Sequence, residues 1–444
     1  MEKDLTKAII SNRIYLGGLT PEQDKNIKEL LTYRLVVNGM TRLPNGKTQP
    51  TQKVDYLKAY KNLPRGVLSI PQARADLIPR SYEVVDKRVT NEVPFPLPKI
   101  QLRPGAQQEI YDSVVDSCFI NAKVGFGKTF LALHIARKLG QKTLVICHTT
   151  ALRDQWAQEC EAIYGMSPGI IGSGKFDIED HFLVVSNVQS LKKHITELSK
   201  EFGTIIVDEA HHTPATTFTE LVDSFYARYR IGLSGTMERK DGKHALLTDF
   251  FSSTVYKPPQ DNTLTPVVKI VKPGVFLDPK LQWSQKINKL LYDEDYQHFI
   301  ANLAQLLINR GHCVLIIASR VEFLKVVNDL LGTQSLLVTG ETSLEERQRT
   351  QEAINSSTAQ AICGSRQIFS EGISVNRLSA VILAEPMSYS GLIEQIVGRI
   401  QRKHDDKLHP EVYDINFSDF ASRKQNQDRL TFYLNQGWEV EQYQ

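Results

Sequence analysis

With 444 residues, 41% of them apolar and 23% charged, the chain has the composition of a globular protein of two or three domains, not of a disordered or fibrous one. No run of 18 apolar residues occurs and Met1-Glu2-Lys3-Asp4 does not read as a signal peptide, so neither a membrane-spanning nor a secreted protein is expected, and an intracellular one is. The net charge of +3 is unevenly placed: residues 1–100 hold 17 Lys and Arg against 10 Asp and Glu, a net +7, leaving 36 against 40, a net −4, for the rest.

Residues 1–92 interleave that positive charge with tyrosines: Lys25, Lys28, Tyr33, Arg34, then Lys53, Tyr56, Lys58, Tyr60, Lys61 and Arg65. The mixture suits phosphate contact with base stacking, and an accessory nucleic-acid-binding domain that can be removed without loss of the chemistry is expected. For each residue taken singly, a solvated face with core tyrosines fits as well. Val93-Pro94-Phe95-Pro96-Leu97-Pro98 forbids helix and reads as an extended linker at a domain boundary.

An apolar strand ending at Ile120 then enters Asn121-Ala122-Lys123-Val124-Gly125-Phe126-Gly127-Lys128-Thr129, and residues 128–139 leave it at helical spacing. Strand, tight loop and helix make a phosphate-binding loop: backbone amides of Gly125 and Gly127 cradle phosphates, Lys128 reaches the outer ones, and the Thr129 hydroxyl is placed to ligate Mg²⁺. Strands at 143–147, 182–185 and 204–207 follow, the last delivering Asp208-Glu209-Ala210-His211. Alternating strands and helices predict a parallel α/β sheet with its ligands beyond the carboxyl ends of the strands, where loop and acidic pair converge. Asp208 is the candidate to hold Mg²⁺ and Glu209 to orient or deprotonate the attacking water.

Pro258 and Pro259 mark a second boundary, so the expected domains are 1–92, 93–257 and 258–444. The last repeats the alternation, with strands at 313–318, 335–338, 360–363 and 380–383, but has no phosphate loop. It closes on a helix whose Gln395, Arg399 and Arg402, at i, i+4 and i+7, are expected on one face as a clamp for a transferring phosphoryl group. The five cysteines lie far apart without paired zinc-site spacing, so they read as buried thiols and no zinc is expected.

In order and type these segments resemble the motif set of the superfamily II helicases and translocases, over residues 100–417. Leu102-Arg103-Pro104-Gly105-Ala106-Gln107 resembles the adenine-reading segment; the family sets its glutamine one residue closer to the proline, so Gln107 and Gln108 both stand as readers beside Arg103. Ser234-Gly235-Thr236 stands where the family has Ser-Ala-Thr or Thr-Ala-Thr, which with His211 implies coupling of hydrolysis to movement. Residues 364–375 resemble a further motif, with Ser374 in place of its usual Asp, and Gln395, Gly398, Arg399 and Arg402 fit Gln-x-x-Gly-Arg-x-x-Arg.

The resemblance implies two tandem RecA-like domains, ATP and Mg²⁺ as cofactors, and closure of the domains on the nucleotide. It also implies a strand crossing both domains near Thr149, Gln189, Ser319, Thr339 and Ser365, although capping or turn roles fit each of these equally. Gly232 to Thr236 and the Asp-Glu-Ala-His-His run are similar to the XPB and phage UvsW group, most of all to branch-migration helicases of the UvsW type. The implied partner is branched or forked DNA, with recombination or replication proteins beside it. An RNA helicase, a duplex translocase that does not unwind, and a nucleotide-gated DNA clamp remain as alternatives.

Overall fold

The structure, a computed structural model, describes residues 6–42, 48–123, 125–209, 215–235, 245–259, 264–275, 277–278, 280–366, 375–387, 390–404, 406–417 and 419–443. Two compact units make up the chain: residues 1–259 apart from loop residues 124–126, and residues 260–444.

The first unit begins with β1 (Lys7–Ile10), β2 (Ile14–Leu16), helix α1 (Pro21–Leu30), β3 (Thr32–Arg42), β4 (Thr48–Lys58), β5 (Lys61–Leu63), β6 (Val67–Ile70) and β7 (Glu83–Asp86). Five of these strands form a sheet in the order β5-β6-β2-β1-β7, while β3 and β4 pair only with each other among the described residues. Helix α1 starts where Thr20 accepts from the Gln23 amide and the Gln23 side chain answers back to the Thr20 amide, with Pro21 in the first turn.

This sheet is not a detachable appendage. Its buried Ala8, Ile14, Leu16, Leu68 and Ile70 belong to the same apolar cluster as Phe119, Leu144, Phe202, Ile205 and Phe225 of the following α/β layer. Buried charge pins the seam. The Arg13 guanidinium reaches Asp223 at 2.5 Å, Ser69 Oγ at 2.8 Å and the Ala59 carbonyl at 2.7 Å. Arg230, wholly buried, donates to the carbonyls of Asn12 at 2.7 Å and Phe225 at 3.0 Å, and burial pushes its pKa down to about 10. Removing the sheet would strand Asp223 and Arg230, so the expectation of a removable segment conflicts with the cost of an uncompensated buried charge.

The Pro-rich stretch is extended, as expected, but it is packed: the Val93 amide bonds the Gly140 carbonyl and Phe95 lies 4.9 Å from the Phe182 ring. Beyond it come helix α2 (Ala106–Ser113), β8 (Cys118–Asn121), helix α3 (Lys128–Leu139), β9 (Thr143–Cys147), helix α4 (Thr150–Tyr164), β10 (Gly169–Gly172), β11 (Lys175–Phe176), β12 (Leu183–Asn187), β13 (Thr204–Val207), β14 (Tyr229–Ser234) and β15 (Val255–Tyr256). They build an eight-stranded sheet, β11-β10-β12-β9-β13-β14-β8-β15, parallel throughout except for β10 against β11.

The second unit is a seven-stranded parallel sheet, β18-β19-β17-β20-β21-β16-β22, from β16 (Val267–Val271), β17 (Val314–Ala318), β18 (Ser335–Val338), β19 (Ala361–Ser365), β20 (Ala380–Leu383), β21 (Glu411–Ile415) and β22 (Glu439–Gln442). Val314 and Ile316 enter one apolar cluster and Leu315 and Ile317 the other, which is why a strand buried on both faces reads as an unbroken apolar run. The chain is thus α/β, with two RecA-like parallel-sheet layers and an N-terminal sheet fused to the first. No helix among the described residues is long and apolar enough to cross a membrane.

Candidate functional site

At the carboxyl edge of the first parallel sheet, β8 and β13, with β14 between them, deliver their following residues to one edge. Gly125 and Gly127 have φ of 90° and 86°, a left-handed backbone open to glycine, and Gly127 caps α3. A Cβ on Gly127 would lie 2.7 Å from Gln107 Nε2 and 3.4 Å from Arg103 Nη2, so the cradle closes only around glycine. Gln107 is buried against this loop and accepts from the Arg103 amide at 3.0 Å, whereas Gln108 is half-buried and donates to Asp112 at 2.8 Å. Of the two candidate readers, Gln107 is the one at the loop.

Lys128 Nζ donates to the Ala122 carbonyl at 2.9 Å and lies 3.6 Å from Glu209 Oε1. Its ammonium therefore rests on the loop's own acceptors, where a phosphate oxygen would compete for it. Thr129 stands half-buried in the first turn of α3. Asp208 is fully buried, and both its oxygens are held: Oδ2 accepts from the Trp156 indole at 2.8 Å and Oδ1 from the Glu209 amide at 2.9 Å. Burial first, then the Glu209 charge, raises its pKa to about 6. A carboxylate ionised at that cost is matched by a nearby cation, and with the glycine cradle this donor set fits a nucleotide bound with Mg²⁺. Glu209 has φ of 47°, a strained conformation for a residue with a Cβ.

Ser234 is buried at the end of β14, its carbonyl accepting from the Ala122 amide at 3.0 Å. A Cβ on Gly235 would meet Lys128 Nζ at 3.8 Å, an ordinary contact, so the alanine that the family carries there would fit. His211 and Thr236 lie outside the described residues, as do most of the 364–375 motif and Ser374.

In the second unit the helix carrying Gln395 and Arg399 spans Ser390–Ile400, and Arg402 lies past its end. The helix stops because Gln401 turns to the strand approach: its carbonyl accepts from the Leu264 amide at 2.7 Å and its side chain donates to the Leu264 carbonyl. One helical face therefore holds Gln395 and Arg399 only, and Arg402 joins them from the following turn, where Nη1 reaches Asn376 Oδ1 at 3.4 Å. Arg399 is buried and Arg402 half-buried.

Four of the five strand-contact candidates follow the carboxyl ends of their strands and Ser365 is the last residue of β19, in one row per unit, since Asn187 pairs with Cys147, Ser365 with Ala318 and Gly364 with Val338. Their local bonds differ. Thr149 caps α4, accepting from the Leu152 amide at 3.3 Å, and Gln189 is exposed. Thr339 takes part in a turn with Thr342, and Ser365 Oγ is buried without a hydrogen-bond partner. Ser319 is committed elsewhere: its hydroxyl donates to Glu385 at 2.7 Å, and Glu385, buried after β20, also pairs with Arg366. Trp156 and Glu385 were not singled out as site residues. The signal at Glu385, an acid following an apolar strand, is the same one that picked out Asp208.

The family description "Type III restriction enzyme, res subunit" matches residues 99–239, and "Helicase conserved C-terminal domain" matches residues 298–404. A probable helicase of Escherichia phage T5 is 42% identical over 401 residues, 88% of this chain and 89% of that protein. The chain is a superfamily II helicase. It hydrolyses ATP and binds nucleic acid as that family does. The ATP-dependent DNA helicase uvsW of Enterobacteria phage T4 is 25% identical over 325 residues, 67% of this chain and 64% of that protein. In fold the helicase is similar to Dbp5 of S. cerevisiae, solved with RNA and ADP BeF3, with a TM-score of 0.56 at 11% identity over 78% of this chain and 90% of that one.

Proposed function

We propose that this helicase is a DNA motor that remodels branched DNA, moving forks and four-way junctions at the expense of ATP. The observation that supports it most is the packing of the basic N-terminal segment, whose sheet shares its core with the phosphate-loop layer: a nucleic acid held on that segment is carried by the motor as a rigid extension. The similarity to a phage DNA helicase points the same way.

In this reading Gly125, Gly127 and Lys128 hold the phosphates and Gln107 with Arg103 the base. Glu209, 3.6 Å from Lys128, aligns water and takes its proton. Asp208 and Thr129 would hold Mg²⁺, which supplies charge neutralisation at the phosphates. Arg399 and Arg402, with Gln395, stabilise the charge that develops as the terminal phosphoryl group leaves. Ser234, with Thr236 and His211, relays the change to the strand-facing edges. ATP drives motion only through its different affinity for two arrangements of the chain, so hydrolysis and movement are one cycle.

Stimulation of hydrolysis tests the substrate class. A fork and a four-way junction are expected to stimulate the full chain more than a tailed duplex, and an RNA duplex least. Equal or greater stimulation by RNA would replace this reading with an RNA helicase.

A further inference from the structure

We propose that the outer face of the β3–β4 ribbon, marked by Arg34, Val54, Tyr56 and Lys58, is the surface on which branched DNA docks. The inference rests on the DNA-motor reading and locates its substrate on the chain.

The ribbon is an outlier in the fold. Each strand has 11 residues, about 35 Å of extended chain, and all 11 positions pair across from Thr32↔Lys58 to Arg42↔Thr48. Among the described residues it joins no other sheet, and two-stranded ribbons are marginal on their own. Its root supplies the support. Tyr33 donates to Asp249 at 2.6 Å, and Tyr33 and Leu57, a cross-strand pair, pack on the core of the unit.

The register then fixes what faces away. Residues paired across an antiparallel ladder share a face, and alternate residues change face. Tyr33 and Leu57 face the core, so Thr32 with Lys58, Arg34 with Tyr56, and Val54 stand on the other side. Arg34, Val54, Tyr56 and Lys58 are all exposed, Tyr56 to 60%. The two strands hold four basic residues, Arg34, Arg42, Lys53 and Lys58, against Asp55 alone: a net +3, equal to the charge of the whole chain. A large exposed aromatic between cations suits a phosphate backbone interrupted by an unstacked base, which a branch point provides and a continuous duplex does not. An acidic protein surface would answer the charge but gives no reason for the ring.

The test uses the full chain without nucleotide, binding a fork and a linear duplex over a range of salt. Arg34→Ala and Lys58→Ala should each flatten the plot of log affinity against log salt by about 0.9, which is about an eightfold loss at 0.1 M salt. Tyr56→Ala should weaken the fork at least fivefold while leaving the salt slope and the linear duplex unchanged. Lys25→Ala, which takes an exposed charge from helix α1 just before the ribbon, should leave the slope as it is. These positions are exposed, so folding is retained and is checked by melting. Unchanged slopes for Arg34→Ala and Lys58→Ala, or the same loss with Lys25→Ala, would overturn the proposal. A wild-type chain that binds DNA but shows no ATP-driven preference for branches would instead remove the functional reading, leaving the slopes interpretable.

Discussion

Trp156 holds the buried Asp208 through one hydrogen bond of 2.8 Å, and Thr149, a strand-contact candidate, caps the same helix. Trp156→Phe keeps an aromatic ring but removes the donor and part of the buried indole, which should cost about 1–3 kcal/mol of stability for the Asp208 oxygen left without its partner, and more for the space that the indole filled. The expected kinetic signature is a lower kcat, a raised Mg²⁺ half-saturation and an unchanged KM for ATP; a lower melting temperature with unaltered Mg²⁺ dependence would reduce Trp156 to packing. Asp208 also sets a pH dependence. Its folded pKa, about 6, lies above the unfolded value, so the folded state holds the proton more tightly, and ionisation costs stability as pH rises from about 4 through about 6. A bound cation returns that loss. The melting shift given by Mg²⁺ and a non-hydrolysable nucleotide should therefore be larger at pH 7.5 than at pH 5.5, and equal shifts would contradict the assignment. At Gly235 an added methyl meets only Lys128 Nζ at 3.8 Å, and Gly235→Ala should keep hydrolysis within about twofold by the tolerance of uncrowded sites.

Among elements, unbroken apolar strands and helix α3 were legible, and strands interrupted by polar residues were not. Helix α3 and strands β9, β13, β18 and β20 lie where apolar spacing set them, because a parallel sheet covered on both sides writes its strands as apolar runs. The ribbon β3–β4 was invisible: Arg34, Asn38, Gly39, Gln52 and Lys53 interrupt any run, and its pairing comes from register with the partner strand, not from pattern. Strands β16, β21 and β22 were missed because Lys269, Asp414 and Glu441 interrupt their apolar residues and their pairing joins residues far apart in the chain. The site residues after strands were readable from the edge they share. Arg402 was put on a helix that Gln401 ends by bonding Leu264, a contact that periodicity cannot show. The fused N-terminal sheet was likewise hidden, since Arg13 and Asp223 meet across 210 residues. Arg13→Met should cost about 3 kcal/mol by leaving the buried Asp223 with only the exposed Lys61, 3.5 Å away, as its ionic partner. The sheet and the phosphate-loop layer should still melt in one transition by hydrogen exchange; separate melting would show two independent domains.

For the molecule as a whole, the proposed reading assigns nucleotide chemistry to residues of both units: Lys128, Thr129, Asp208 and Glu209 belong to the first, Gln395, Arg399 and Arg402 to the second. Such a division turns binding and hydrolysis into a difference between arrangements of the chain, which is what a motor requires and a static clamp does not. On the proposed reading, the N-terminal segment stays with the first unit because buried charge ties it there, so a branch held on its β3–β4 ribbon would feel each cycle. The most direct measurement follows a mobile four-way junction with fluorescent arms on addition of the full chain and ATP. The account predicts conversion to separated duplexes by the wild-type chain, and none by Lys128→Ala although that variant still binds the junction. A junction bound but never converted, or converted equally by Lys128→Ala, would contradict it.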